Sequence, residues 1–272
     1  MVEKLKSKLE LENFELTNQE IDFMLENIGH ESKEIRDDLI FDLFAKSFYL
    51  ELLNIEQLRY IYNKIVSEEL VFFNIESADV KNALIRSYSI LLLSLLISFS
   101  SRKEYKYFNA LSKNEKLKIF EIANKYIELE KCLVGYSYQY GWVDCFTHAV
   151  QLLIDIVKNG VIEGEDVSKT ILNSIKKSLL SLDDEIGDGQ AKKFGNLLAS
   201  LYKNSLVDHD QILEFINELF ANQEYEKFSI ERERRNENIN NMLMQFSLFI
   251  NDIEILNKIK KVNMIPDLIK II

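Results

Sequence analysis

The 272-residue chain sets 44 acidic against 33 basic side chains, a formal net charge of -11 that repels a phosphate backbone, so nucleic acid is not expected as a partner. Two cysteines, Cys132 and Cys145, have neither CxxC spacing nor the density of a secreted scaffold, which implies a reducing, cytoplasmic setting. One proline and eight glycines leave almost no punctuation for strands, so the composition predicts a nearly all-helical protein.

The first segment, "MVEKLKSKLELENFEL", is charged throughout and lacks the apolar run and cleavage site of a signal peptide, so no export is expected. Helix starts follow at "TNQE" (Thr17) and "NIEQ" (Asn54), each a short polar cap with Glu or Gln three residues on. Between them Ile35, Leu39 and Leu43 recur at helical spacing. The most apolar run, "SYSILLLSLLISFSS", is bounded by Arg86 and Arg102; its fifteen uncharged residues, at about 1.5 Å each, fall short of a bilayer core of roughly 30 Å. A buried core helix is expected there, with no membrane insertion.

"SKNE" (Ser112) starts another helix, and "DHDQ" (Asp208) another, with Ile212, Phe215, Ile216 and Leu219 on its apolar side. Between these, "DDEIGDGQ" (Asp183 to Gln190) lacks the ligand spacing of a calcium loop and reads as an acidic turn. "IERERRNENIN", with Arg232, Arg234 and Arg235 among glutamates, and "NKIKK" read as solvated helix faces. His30 and His209 stand alone at helix starts, and Pro266 suits the first turn of a terminal helix "DLIKII".

One especially apolar helix recurs about every fifty residues: "IRDDLIFDLF", "IRSYSILLLSLL", "VDCFTHAVQLLIDIV", "AKKFGNLLASLY" and "INNMLMQFSLFI". A more charged helix precedes each. This alternation predicts an all-α, HEAT- or armadillo-like α-solenoid of stacked antiparallel helix pairs. With no linker rich in Pro, Gly or Ser, residues 1–272 read as one domain.

The stretch "GYSYQYGWVDCFTHAV" (Gly135 to Val150) breaks this pattern and holds the chain's single Trp. Tyr136, Tyr138, Tyr140 and Trp142 alternate with small or polar residues, so an extended backbone lines them along one side. From Trp142 the spacing turns helical, and Asp144, His148, Gln151 and Asp155 fall on one polar stripe. Asp beside His is an arrangement that orients an imidazole for base catalysis, and Asp, His and Gln could supply part of a metal shell. The bland alternative is a solvated stripe, with Trp142 wedged between helix pairs. No phosphate loop, HExxH or GxSxG occurs, and neither a cofactor nor a bound metal is expected.

The chain resembles a family of bacterial proteins, mostly Gram-positive, known as domain of unknown function twenty-seven eighty-five. The family's core, Gly-Trp-x-His, then Ala-His, then Asp, falls here on Gly141, Trp142, Asp144, His148 and Gln151. "EIRDDLIFDLF", "LRYIYNKIVSEELVFFNI", "DVKNALIRSYSILLLSLLI", "DDEIGDGQAKKFGNLLASLY" and "NINNMLMQFSLFI" follow in the order of the family's blocks. Asp144 stands where the family usually has His, and Gln151 where it has Asp. The resemblance implies a helical-repeat fold and supplies no activity.

Three function classes remain. The favoured one is a scaffold that binds a protein or peptide on its concave face, with Tyr136, Tyr138, Tyr140, Trp142, Asp144, His148 and Gln151 as contact residues. The second is a small-molecule-binding protein or hydrolase-like enzyme with its polar site at Asp144 and His148. The third is a structural subunit of a larger assembly.

Overall fold

A computed structural model of the protein describes residues 1–67, 69–161, 164–221 and 229–263. Pro266 and the helix read from "DLIKII" lie outside them. The described residues are overwhelmingly helical, with one two-stranded sheet. Contacts cluster into two compact units, 1–162 and 163–272, and each is taken by itself.

The first unit runs α1 (Val2–Leu9), α2 (Asn18–Glu26), α3 (Lys33–Ile35), a π-helical segment (Arg36–Phe41), α4 (Asp42–Tyr49), α5 (Ile55–Ser67), a 3-10 turn (Leu70–Phe72), α6 (Val80–Ser101), α7 (Lys113–Leu129), β1 (Tyr136–Ser137), β2 (Gly141–Trp142) and α8 (Cys145–Lys158). The expected caps are present. Thr17 with Glu20, and Ser112 with Glu115, form reciprocal capping boxes, and Asn54 and Gln57 exchange the same pair of bonds.

Three apolar helices run side by side in the same direction. Phe41 meets Tyr88 at 6.0 Å and Phe48 meets Phe99 at 5.5 Å, which lays the π segment and α4 along α6. Ser87 meets His148 at 2.7 Å and Ser94 meets Asp155 at 2.5 Å, which lays α8 along α6 with matching seven-residue steps. The intervening α7 runs back, since Lys116 reaches the Ser100 carbonyl at one end and Glu130 reaches Arg86 at the other.

At 22 residues α6 is long and apolar enough to cross a membrane, yet 78% of its most apolar window is buried inside the protein. The sequence reading ends the apolar run at Arg86, whereas that arginine lies within the helix and is fully buried. Its guanidinium makes a two-pronged pair with Glu130 (2.9 and 2.5 Å) and donates to the carbonyls of Phe73, Asn74 and Ser77, each at 3.1 Å. Glu130 in turn accepts the backbone amides of Lys131 and Cys132. Two desolvated charges are thus satisfied by each other and by loop backbone.

The second unit comprises α9 (Glu165–Ser181), α10 (Gln190–Lys203), α11 (His209–Phe220), α12 (Ile230–Ser247) and α13 (Ile253–Asn263). Here α10 and α12 run in the same direction. Their backbones nearly touch at Gly195, where a Cβ would lie 2.4 Å from the Met242 carbonyl oxygen. Asp208 completes the expected capping box with Gln211.

Two sequence expectations change in this unit. The arginines of "IERERRNENIN" are not simply a solvated face: Arg232 is buried, Arg234 pairs with Asp184 at 3.2 Å, and Arg235 donates to the Leu182 carbonyl at 3.4 Å. Arg234 and Arg235 hold the acidic turn that precedes α10. Nor does His209 stand alone, because its Nδ1 lies 2.7 Å from Asp252 and its Nε2 3.3 Å from Glu254. These partners are over forty residues away, beyond the reach of local pattern reading.

Glu130→Gln is expected to cost about 3 to 5 kcal/mol in urea unfolding, because it leaves Arg86 charged, buried and uncompensated. A second expectation concerns pH. The Asp252 carboxylate raises the His209 pKa. The stability this pair supplies is therefore complete below the ordinary histidine value of about 6.5 and is lost as pH rises through the raised value. The melting-temperature gap between wild type and His209→Ala should be wider near pH 5.5 than near pH 8.5, both about two units or less from that range.

Candidate functional site

Between α7 and α8 the chain makes a short antiparallel hairpin in which Tyr136 pairs with Trp142 and Ser137 with Gly141. Ser137 Oγ accepts the amides of Gln139 and Tyr140 across the turn. Gly141 closes it at φ +77°, a left-handed conformation that favours glycine. The helix begins at Cys145 rather than Trp142, because Val143 and Asp144 both give their amides to the Gly135 carbonyl and Asp144 turns to φ 51°.

The hairpin carries its aromatics outward. Tyr138 is fully exposed, Trp142 is 48% exposed and Tyr136 43%, so Trp142 is not a wedge in the core. Tyr136 stands edge-on to both neighbours, 5.8 Å from Tyr138 and 5.1 Å from Trp142. Tyr140 is half-buried, and its carbonyl is the atom that the fold uses.

That carbonyl accepts from Arg36 at 2.6 Å. Arg36 is fully buried at the start of the π segment, where it also pairs with Asp37 at 2.8 Å, donates to the His30 carbonyl, and lies 4.8 Å over the Tyr88 ring. The Tyr88 hydroxyl reaches the Trp142 carbonyl at 3.4 Å, and burial, reinforced by Asp37, raises the Tyr88 phenol above its ordinary range. Ser87 donates to the Val143 carbonyl at 2.5 Å. A framework of buried groups therefore grips the hairpin backbone and leaves its rings in solvent.

The polar stripe lies between helices. With the Ser87 proton on the Val143 carbonyl, His148 Nδ1 is the donor to Ser87 Oγ. Ser87 is thus the group that orients the imidazole through Nδ1. Asp144 caps the helix instead of lying on it, and its carbonyl accepts the His148 amide at 3.0 Å. Further along, Gln151 donates to Asp155 at 3.0 Å, and Asp155 also accepts from Ser94. Among the described residues no three His, Cys, Asp or Glu side chains group as a metal shell would.

Cys132 and Cys145 are both buried and stand side by side where the chain leaves α7 and enters α8. Burial drives the Cys145 thiol well above the usual range. Sequence reasoning missed Arg36, Ser87 and Tyr88, the residues that hold the hairpin. One signal was available: "IRDD" and "IRSY" each set an arginine inside an otherwise apolar helix.

A family model described as "Protein of unknown function (DUF2785)" matches residues 71–250, about two thirds of the chain. No curated protein and no solved structure matches it.

Trp142→Ala is expected to cost below about 1.5 kcal/mol in chemical unfolding, since half of the side chain is already in water. Phe146→Ala, four residues on and fully buried, should cost about 3 to 5 kcal/mol. Equal losses would mean that the indole is packed inside.

Proposed function

The chain belongs to the DUF2785 family, whose function is unknown, and we propose that it is a HEAT-like helical-repeat scaffold that docks a protein or peptide partner through the Tyr136–Trp142 hairpin. The reading rests on one observation: three exposed aromatic rings sit on a backbone fixed from beneath by Arg36, Ser87 and Tyr88. Large rings already held in place lose little freedom when a partner closes over them, which is why such anchors dominate binding energy. The parallel course of α4, α6 and α8, with α7 running back, supports the repeat architecture in the first unit. Under this reading the partner is cytoplasmic, and neither nucleic acid nor membrane is its target. The Gly141-Trp142 step of the family-like motif then serves the hairpin: Gly141 makes the turn and Trp142 the anchor.

A second reading has its own observation. Asp144 holds a left-handed backbone beside His148, and strained conformations gather at functional sites. A small-molecule or hydrolase-like site at Asp144 and His148 would need substrate to reach His148 Nε2.

A photo-crosslinking phenylalanine analogue at Tyr138 separates the two. It is expected to trap a partner protein in cells, and Trp142→Ala should lower the yield about tenfold, the equivalent of ~1.4 kcal/mol, with the fold intact by circular dichroism. Trapping that ignores Trp142→Ala would rule out the hairpin as the dock.

A further inference from the structure

The ground beneath the hairpin is acidic. Residues 31–42, "ESKEIRDDLIFD", carry Glu31, Glu34, Asp37, Asp38 and Asp42 against Lys33 and Arg36. This segment touches the hairpin repeatedly. Arg36 binds the Tyr140 carbonyl, and the Lys33 stem lies beside Gly141, 3.5 Å from where a Cβ would stand. Burial, with Asp38 and Asp37 beside it, raises the Asp42 carboxyl above its ordinary value, as a concentration of like charge should.

Two of these carboxylates are available for exchange. Asp38 is held by Lys33 at 3.9 Å, with both side chains more than half exposed, and Glu31 by Lys81 at 2.7 Å, both 53% exposed. Exposed pairs of this kind contribute little and are easily traded for a better cation. Arg36 cannot be displaced, since it is buried and fully engaged.

We propose that the aromatic hairpin and the acidic segment 31–38 form one recognition surface for an arginine-bearing, basic segment of a protein partner. The inference rests on the docking reading above and names the chemistry of what docks. A guanidinium stacks flat on an indole or phenol ring and forks onto a carboxylate, so one arginine can lie on Trp142 or Tyr136 while a neighbour replaces Lys33 at Asp38. An ammonium does the first weakly and the second at a single point. The net charge of -11 favours the approach of such a segment at long range.

The test uses the full chain and a fluorescent short peptide of alternating arginine and glycine, read by anisotropy. Matched lysine–glycine, glutamate–glycine and neutral proline-rich peptides serve as comparisons. The arginine peptide should bind, the lysine peptide several-fold more weakly, and the glutamate peptide not at all. Trp142→Ala and Asp38→Asn should each weaken the arginine peptide by about threefold to tenfold. Lys33→Met keeps the stem against Gly141 and removes the competing charge, so it should tighten binding, which no loss of structure would do. Asp183→Asn in the other unit should leave affinity unchanged.

Arginine-peptide affinity that is indifferent to Trp142→Ala, Asp38→Asn and Lys33→Met would overturn the proposal and reveal attraction to net charge alone. Trp142-dependent binding of the neutral proline-rich peptide without the arginine peptide would also overturn it, while leaving the hairpin as a dock. Loss of Trp142-dependent crosslinking at Tyr138 would remove the docking reading itself.

Discussion

Three consecutive residues near the start of α6 hold the first unit's distinctive feature in place. Arg86 pairs with Glu130 and through it fixes the amides leading out of α7. Ser87 takes the Val143 carbonyl on the far side of the hairpin, and Tyr88 takes that of Trp142. A helix presents successive residues about 100° apart, so three neighbours can reach three different structures only if the helix is surrounded. Buried on nearly all sides, α6 meets this condition.

An arginine near the start of an apolar helix occurs twice, at Arg36 and Arg86, fifty positions apart and on helices that run parallel. Both donate to carbonyls of loops that have no regular partner of their own. Loop carbonyls lose water when helices pack around them, and a guanidinium, with five donors on a plane, restores several bonds at once. Stacked helices can thereby bury their connections instead of leaving them in solvent, and an irregular hairpin becomes as firmly placed as a helix.

Much of the architecture is legible in the sequence because it depends on short-range chemistry. Thr17, Asn54, Ser112 and Asp208 cap helices as their spacing predicts, and the apolar helices α4, α6 and α8 that recur along the chain do lie together. The aromatic stretch also stands out in composition alone. What stays hidden is the partner at long range. Nothing local to His148 indicates that Ser87, 61 residues earlier, will meet its Nδ1, nor does the spacing show that the backbone turns left-handed at Asp144. Arg234 and Arg235 of α12 are misread for the same reason, since the turn they hold lies some fifty residues away.

The two cysteines meet in the interior at the points where the chain departs from α7 and rejoins α8. An excursion that starts and ends at one place leaves the helices as a closed loop, and here Arg36, Ser87 and Tyr88 tie its backbone down at three further carbonyls. Because those bonds are made by backbone atoms, side chains at the exposed tip, Tyr138 and Gln139, can be exchanged without altering the spacing of α7 and α8, much as an antibody framework tolerates new loops. Change is thus cheapest at the tip of the hairpin, where side chains leave the surface while the backbone beneath them stays tied to the helical frame.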